Sequence, residues 1–200
     1  MPFLTVLTYN ILNPYHAVEY KIFQGLRGAC VGLHNESHWD ERGDSIIKNM
    51  QSVPFDVAAL QEISPDTLSL FQRNFEIVHF EEHFVEFEAR RHGNAIVVNP
   101  DTMLLLDRGA FKSCGREFRI GTWADVRHKE SGKIFRTVSI HLKGYNGDEK
   151  NEAILDQSKI LGYEELKGYL KEVTSLDLSV DGIFIAGDMK MGSQKVEMIF

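Results

Sequence analysis

Asp188, Glu62, Asn10 and His141 each sit at or near the end of an apolar run, and their side chains are of the kinds that hold a hard cation or move a proton. Asp188 follows Gly182-Ile-Phe-Ile-Ala-Gly187, a short apolar segment bounded by glycines that reads as a strand buried on both faces. Gln61 and Glu62 close Val57–Leu60, Asn10 lies in Leu4–Leu12, and His141 lies near the end of Thr137–Leu142. A polar group at the carboxyl end of a buried strand is held rigidly while the following loop keeps it wet, and open α/β sheets place their ligands there. Taken singly, Gly187-Asp188 also reads as a β-turn, Glu62 as a solvated strand end, and His141 as a packed or half-exposed histidine. Four strands that each deliver such a group point to one shared site.

Other residues could serve a phosphate at that site. A bare carboxylate beside an apolar run is costly, so Glu62 requires a cation or hydrogen-bond donors as partner, and a divalent ion is the reading we take further. The basic cluster Arg90-Arg91-His92-Gly93-Asn94 interrupts an acidic, aromatic stretch (81–88) just before the apolar run Ala95–Val98. This makes Arg91 and Asn94 candidates for substrate contact, with a solvated charge pair as the alternative for the arginines. Lys190, two residues beyond Asp188, has donors only and can bind a phosphate oxygen.

The elements that must position these groups follow from periodicity. Trp39, Gly43, Ile46, Ile47 and Met50 fall on one helical face, opposite Asp40, Arg42 and Lys48, so this helix packs one side on a sheet. With the strands before and after it, it makes a βαβ-like unit. Ser64 and Pro65 read as N-cap and first position of a short helix. Phe75–Phe80, Ala95–Val98, Met103–Leu106, Phe118–Val126 and Ile134–Leu142 read as strands, the last two joined by a Lys129–Lys133 hairpin turn, with 81–88 as a solvated loop or edge. The longest helix spans about Asn151–Val173, with Ile154, Leu155, Leu161, Leu166, Tyr169, Leu170 and Val173 inward. Helix, buried strand and acid thus occur in that order twice, ending at Glu62 and at Asp188.

Composition sets the outer limits. The chain of 200 residues, 43% hydrophobic and 26% charged, has the make-up of a single soluble globular domain. No apolar run approaches the roughly 20 residues of a membrane span, and no signal-peptide pattern opens the sequence, so an intracellular, soluble protein without membrane contact is expected. Cys30 and Cys114 read as free thiols. The net charge of -7 disfavours an electrostatic grip on long nucleic acid; positive charge at a phosphodiester must be local or supplied by a metal.

In order, LTYNIL, LQE, HGNAIVV, SIHL and IAGDMK resemble the motifs of the endonuclease/exonuclease/phosphatase superfamily. The Trp39-Asp-Glu-Arg-Gly-Asp-Ser-Ile-Ile47 segment and Gln157 are most similar to its deadenylase and nocturnin branch. The resemblance implies an α+β fold, the DNase I-like four-layer α/β/β/α sandwich, and a Mg²⁺-dependent hydrolase (Mn²⁺ as alternative) acting on a nucleic-acid or nucleotide phosphodiester. It implies Glu62 and Asn10 at the metal, His141 at the scissile phosphate, and Asp188 orienting or activating the attacking water. Two positions depart from the pattern. Lys190 stands where the family has asparagine, and the sequence ends at Phe200, before a Ser-Asp-His-like motif. The resemblance therefore implies a sandwich truncated at its C-terminal end, with an incomplete sheet that self-association or a partner chain would cover. It also leaves open a catalytically impaired binding module.

Overall fold

The computed structural model describes residues 4–11, 39–85, 90–112, 120–142, 164, 166–176 and 179–188. Among these residues the strands are β1 (Val6–Asn10), β2 (Val57–Ile63), β3 (Glu76–Val85), β4 (Arg90–Val98), β5 (Met103–Lys112), β6 (Ile120–His128), β7 (Ile134–His141) and β8 (Gly182–Asp188). The helices among the described residues are α1 (Trp39–Ser52), α2 (Pro65–Gln72) and α3 (166–174). One sheet has the order β1-β2-β4-β3 and the other β5-β6-β7-β8. Each contains a hairpin, an antiparallel neighbour and one parallel pair, β1 with β2 and β7 with β8. The sheets lie face to face, β1 against β8 and β2 against β7.

Period-two alternation in the strands divides the core into three layers. Ala58, Leu60, Ala95 and Val97 face outward and pack on Ile46, Ile47, Met50 and Phe71 of α1 and α2. Val57, Ile96 and Val98 face inward and meet Met103, Ala124 and Val126 of the second sheet. On the far side, Val138 and Ile140 pack on Tyr169 and Val173 of α3. Helix, sheet, sheet, helix is the expected four-layer order, and the α+β class holds.

Local signals act where the sequence placed them. Gly43, Ile46, Ile47 and Met50 are the buried face of α1. Ser64 caps α2, its hydroxyl accepting from Thr67 N at 3.3 Å while Ser64 N donates to Thr67 Oγ1 at 2.9 Å, which satisfies donors that the first helical turn leaves open.

Several expectations change. The strand expected over Val57–Leu60 runs on to Ile63, so Glu62 lies inside it rather than after it. Of the loop or edge expected after Phe80, the edge is found: β3 continues to Val85 as an edge strand among the described residues. β8 is half-buried along its described length, not buried on both faces, because it is an outer strand paired on one side by β7 among the described residues. Leu170 is 42% exposed; Leu166, Tyr169 and Val173, spaced three and four apart, already fill the contact with the second sheet. Arg42, expected on the solvent face of α1, lies over the Trp39 ring at 4.5 Å and donates to Ile11 O at 2.6 Å. The loop expected over 15–36, Cys30, Cys114, the first turns expected for the longest helix, Lys190 and the segment from Ser193 lie outside the described residues.

Candidate active site

Three of the four principal residues meet. Asn10 ends β1, and its Nδ2 donates to Glu62 Oε1 at 2.9 Å. His141 ends β7 in the other sheet and brings Nε2 to 3.7 Å from the same oxygen. Glu62 and His141 are only 5% and 7% exposed, so the cluster lies in the mouth between the sheets rather than on an open surface. Asp188 ends β8, with its Cα paired to that of His141; its side chain lies outside the described ones.

The local backbone explains why Glu62 can reach this point. Leu60 pairs with Ala95 and Ile63 with Gly93, so Gln61 and Glu62 together oppose one residue, Asn94. This is a β-bulge, and Glu62 sits in it at φ 62, a left-handed conformation that costs a non-glycine residue about 1–2 kcal/mol. Bulges re-aim side chains out of strict alternation. Here the bulge puts the carboxylate beside Asn10 and His141. The backbone ahead of Asp188 is also unusual: Gly187 has φ +152, and a Cβ there would come within 1.8 Å of Ile140 O. Only glycine permits this approach of β8 to β7.

Asn94 stands across the ladder from the bulge and is 1% exposed. Its Nδ2 donates to Ile120 O at 2.7 Å, tying β4 to the start of β6, while its Oδ1 has no hydrogen-bond partner among the described residues. Arg91 lies on β4 with its Cα opposite Phe84, and its side chain, like all of Lys190, lies outside the described ones.

Two polar residues beside the site, Thr8 and Ser139, were not singled out from sequence, and both contact Gln61, which was named there as the neighbour of Glu62 at the strand end. Gln61 Nε2 donates to Ser139 Oγ at 3.0 Å, Ser139 Oγ donates to Leu60 O at 3.0 Å, and Thr8 Oγ1 reaches Gln61 Oε1 at 3.5 Å. Period two offered a signal: Thr8 and Ser139 lie two residues before Asn10 and His141, on the same strand faces.

Among the described residues no group of three or more His, Cys, Asp or Glu side chains is arranged to hold a metal. Mg²⁺ does not require one, since it takes oxygen ligands, keeps several waters and is commonly held by one or two carboxylates. The carboxylate of Glu62 beside the amide of Asn10 has that donor chemistry, and the pair fits such an ion.

No family model and no curated protein matches the chain. Solved structures do. ANGEL2, a 2′,3′-cyclic phosphatase in complex with adenosine-2′,3′-vanadate, matches with TM-score 0.68 and 19% identity over 94% of this chain and 53% of that one. The human Nocturnin catalytic domain matches with TM-score 0.60 and 17% identity over 94% and 64%. An endonuclease/exonuclease/phosphatase family protein of Bacteroides thetaiotaomicron matches with TM-score 0.58 and 20% identity over 94% and 63%. The chain thus spans about half to two thirds of the length of these structures. Likeness at such identity is likeness of architecture, and on that ground the chain has the DNase I-like fold of the endonuclease/exonuclease/phosphatase superfamily.

Proposed function

We propose that the protein is a divalent-metal-dependent hydrolase of phosphodiesters in nucleic acids or nucleotides. The observation that carries this reading is the convergence of Asn10, Glu62 and His141 from three strands and both sheets onto one buried carboxylate oxygen. Glu62 and Asn10 would hold Mg²⁺, or Mn²⁺ in its place. When bound, the ion neutralises charge that accumulates on the phosphoryl oxygens.

The remaining roles belong to the chain. His141 donates a hydrogen bond to a non-bridging phosphate oxygen, and its place beside Glu62 keeps the ring oriented. Asp188, next to His141 in register, accepts from the attacking water and turns its lone pair toward phosphorus. Asn94, Arg91 and Lys190 contact the substrate around the reacting phosphate. Support for the substrate class comes from the neighbours: one is a 2′,3′-cyclic phosphatase, and a D. rerio TDP2 structure holds a single-strand DNA product.

Hydrolysis of bis(p-nitrophenyl) phosphate and of a short oligonucleotide, with Mg²⁺ or with EDTA, tests the reading. Glu62→Gln should lower the Mg²⁺-dependent rate on the order of 100-fold or more, since a metal contributes several kcal/mol. Equal rates with EDTA and in Glu62→Gln would sink it.

A second reading has one specific observation behind it. Lys190 replaces an asparagine of the family pattern, and an ammonium cannot accept a hydrogen bond from water. A chain so altered would bind a phosphate without turning it over. Lys190→Asn separates the two: a gain in rate supports an impaired site, and no gain together with measurable wild-type turnover supports the hydrolase.

A further inference from the structure

Glu62 and His141 belong to different sheets, and a hydrogen-bonded contact between those sheets lies directly beneath them. Gln61 precedes Glu62 on β2, and Ser139 lies two residues before His141 on β7; they are 1% and 0% exposed. The Ser139 hydroxyl accepts from Gln61 Nε2 and donates to Leu60 O, each at 3.0 Å. A hydroxyl has one proton and two lone pairs, so it can do both at once. Elsewhere Asn94 ties β4 to β6 and Arg108 ties β5 to β3, each by a hydrogen bond to a backbone carbonyl, and further from the mouth the sheets meet through Val57, Ile96, Val98, Ala124 and Val126. Apolar packing of that kind is not directional and sets the distance between sheets better than their slide, whereas hydrogen bonds lose strength steeply with misalignment.

We propose that Gln61 and Ser139 are positioning residues, a clasp that fixes β2 against β7 so that Glu62 and His141 face one another across the mouth. Mere satisfaction of buried polar groups does not account for the pair. Thr122 and Thr137 are equally buried in the same sheet, and their hydroxyls have no hydrogen-bond partner among the described residues. Thr122 is the register partner of Ser139, yet the seryl hydroxyl is engaged with β2. The kinetic consequence rests on the hydrolase reading; the structural one does not.

The test uses Gln61→Leu, Ser139→Ala, Ser139→Thr, and Thr137→Val as the packing control on the same strand. Two quantities are read: kcat and KM for phosphodiester hydrolysis, and the ring ¹⁵N resonances of His141, which need no turnover. Gln61→Leu and Ser139→Ala should each lower kcat about 10–100-fold, the range for residues that orient a metal ligand, with KM unchanged. The double variant should be no worse than the more damaging single one, because the two act as a unit. Ser139→Thr, which keeps the hydroxyl, should retain most of the rate. The His141 resonances should move in Gln61→Leu and Ser139→Ala and stay in place in Thr137→Val. Unmoved resonances in both clasp variants, or a change matched by Thr137→Val, overturns the proposal. Absence of hydrolysis by the wild type overturns the hydrolase reading alone, and His141 still decides the clasp. Should Gln61→Leu fail to fold, the His141 resonances of Ser139→Ala, which removes fewer atoms, decide it alone.

Discussion

The two sheets share a plan and differ in how they carry it out. Each pairs a hairpin, an antiparallel strand and a parallel strand, and each parallel pair ends at or beside residues of the candidate site: Asn10 and Glu62 on β1 and β2, His141 and Asp188 on β7 and β8. In the first sheet the acid lies on an interior strand, buried throughout and covered by an apolar layer under α1 and α2. In the second the acid lies on a half-buried outer strand. The helices are also held differently. Beneath α3, Arg136 makes paired 2.7 Å bonds to both oxygens of Asp125 and donates to Val173 O at 2.8 Å, with Trp123 5.3 Å from its guanidinium. Apolar contact, with one hydrogen bond from Arg42 to Ile11 O, thus anchors the first helical layer, while a buried ion pair anchors α3 in addition to packing. The first arrangement tolerates volume-conserving change; the second does not tolerate loss of one partner.

Arg136→Met should therefore have the largest effect on stability, about 3–5 kcal/mol, because Asp125 is left buried without its partner. Replacing both with apolar residues should cost much less. A double-mutant cycle in urea unfolding measures the difference, and a small loss in the single variant would erase the contrast between the layers.

Gly187→Ala should come next, at about 3 kcal/mol or more, since its Cβ would overlap Ile140 O and force β8 away from β7. Unfolding midpoints measure the loss. If the variant instead matches the wild type, the close approach of β8 is not a constraint on Asp188.

Glu62→Gly in the first sheet should do the reverse. It removes the carboxylate and with it any Mg²⁺-dependent hydrolysis, but relief of the left-handed strain offsets the lost hydrogen bond to Asn10, so stability should change by less than about 1 kcal/mol. A loss of several kcal/mol would show that Glu62 holds the sheet together rather than serving the site.

The smallest effect belongs to His79 on β3. Burial lowers its pKa below the ordinary 6.5, Glu81 opposes this, and Arg108 adds to the lowering. The folded state thus favours the neutral ring. Its contribution to stability is complete above about pH 6.5, the unfolded-state value, and is lost as the pH falls through the lower folded-state value. Between pH 7.5 and 5.5, His79→Gln should flatten the decline in unfolding midpoint; an identical slope in both proteins would refute this.

Helix α1 was legible because four apolar positions at helical spacing need no knowledge of the partner surface. The cap of α2 was legible because Ser64 and Pro65 act within one turn. The buried bulge was not: VAALQEI carries no glycine or proline to mark it, and the two-against-one pairing arises only when β4 fixes Leu60 against Ala95 and Ile63 against Gly93. The place of Arg42 was not legible for a similar reason, as a long side chain at the border of a helical face goes wherever an acceptor such as Ile11 O is presented.

The amino-acid sequence by itself determined the strand and helix types, the polar residues near the strand ends and the glycine before Asp188, because these depend on near-neighbour sterics and period. Tertiary structure alone decided that Asn10, Glu62 and His141 meet at one oxygen, and that Gln61 finds Ser139, more than seventy residues away. Those contacts depend on how two separately patterned sheets slide over each other, a degree of freedom that periodicity within a strand does not contain.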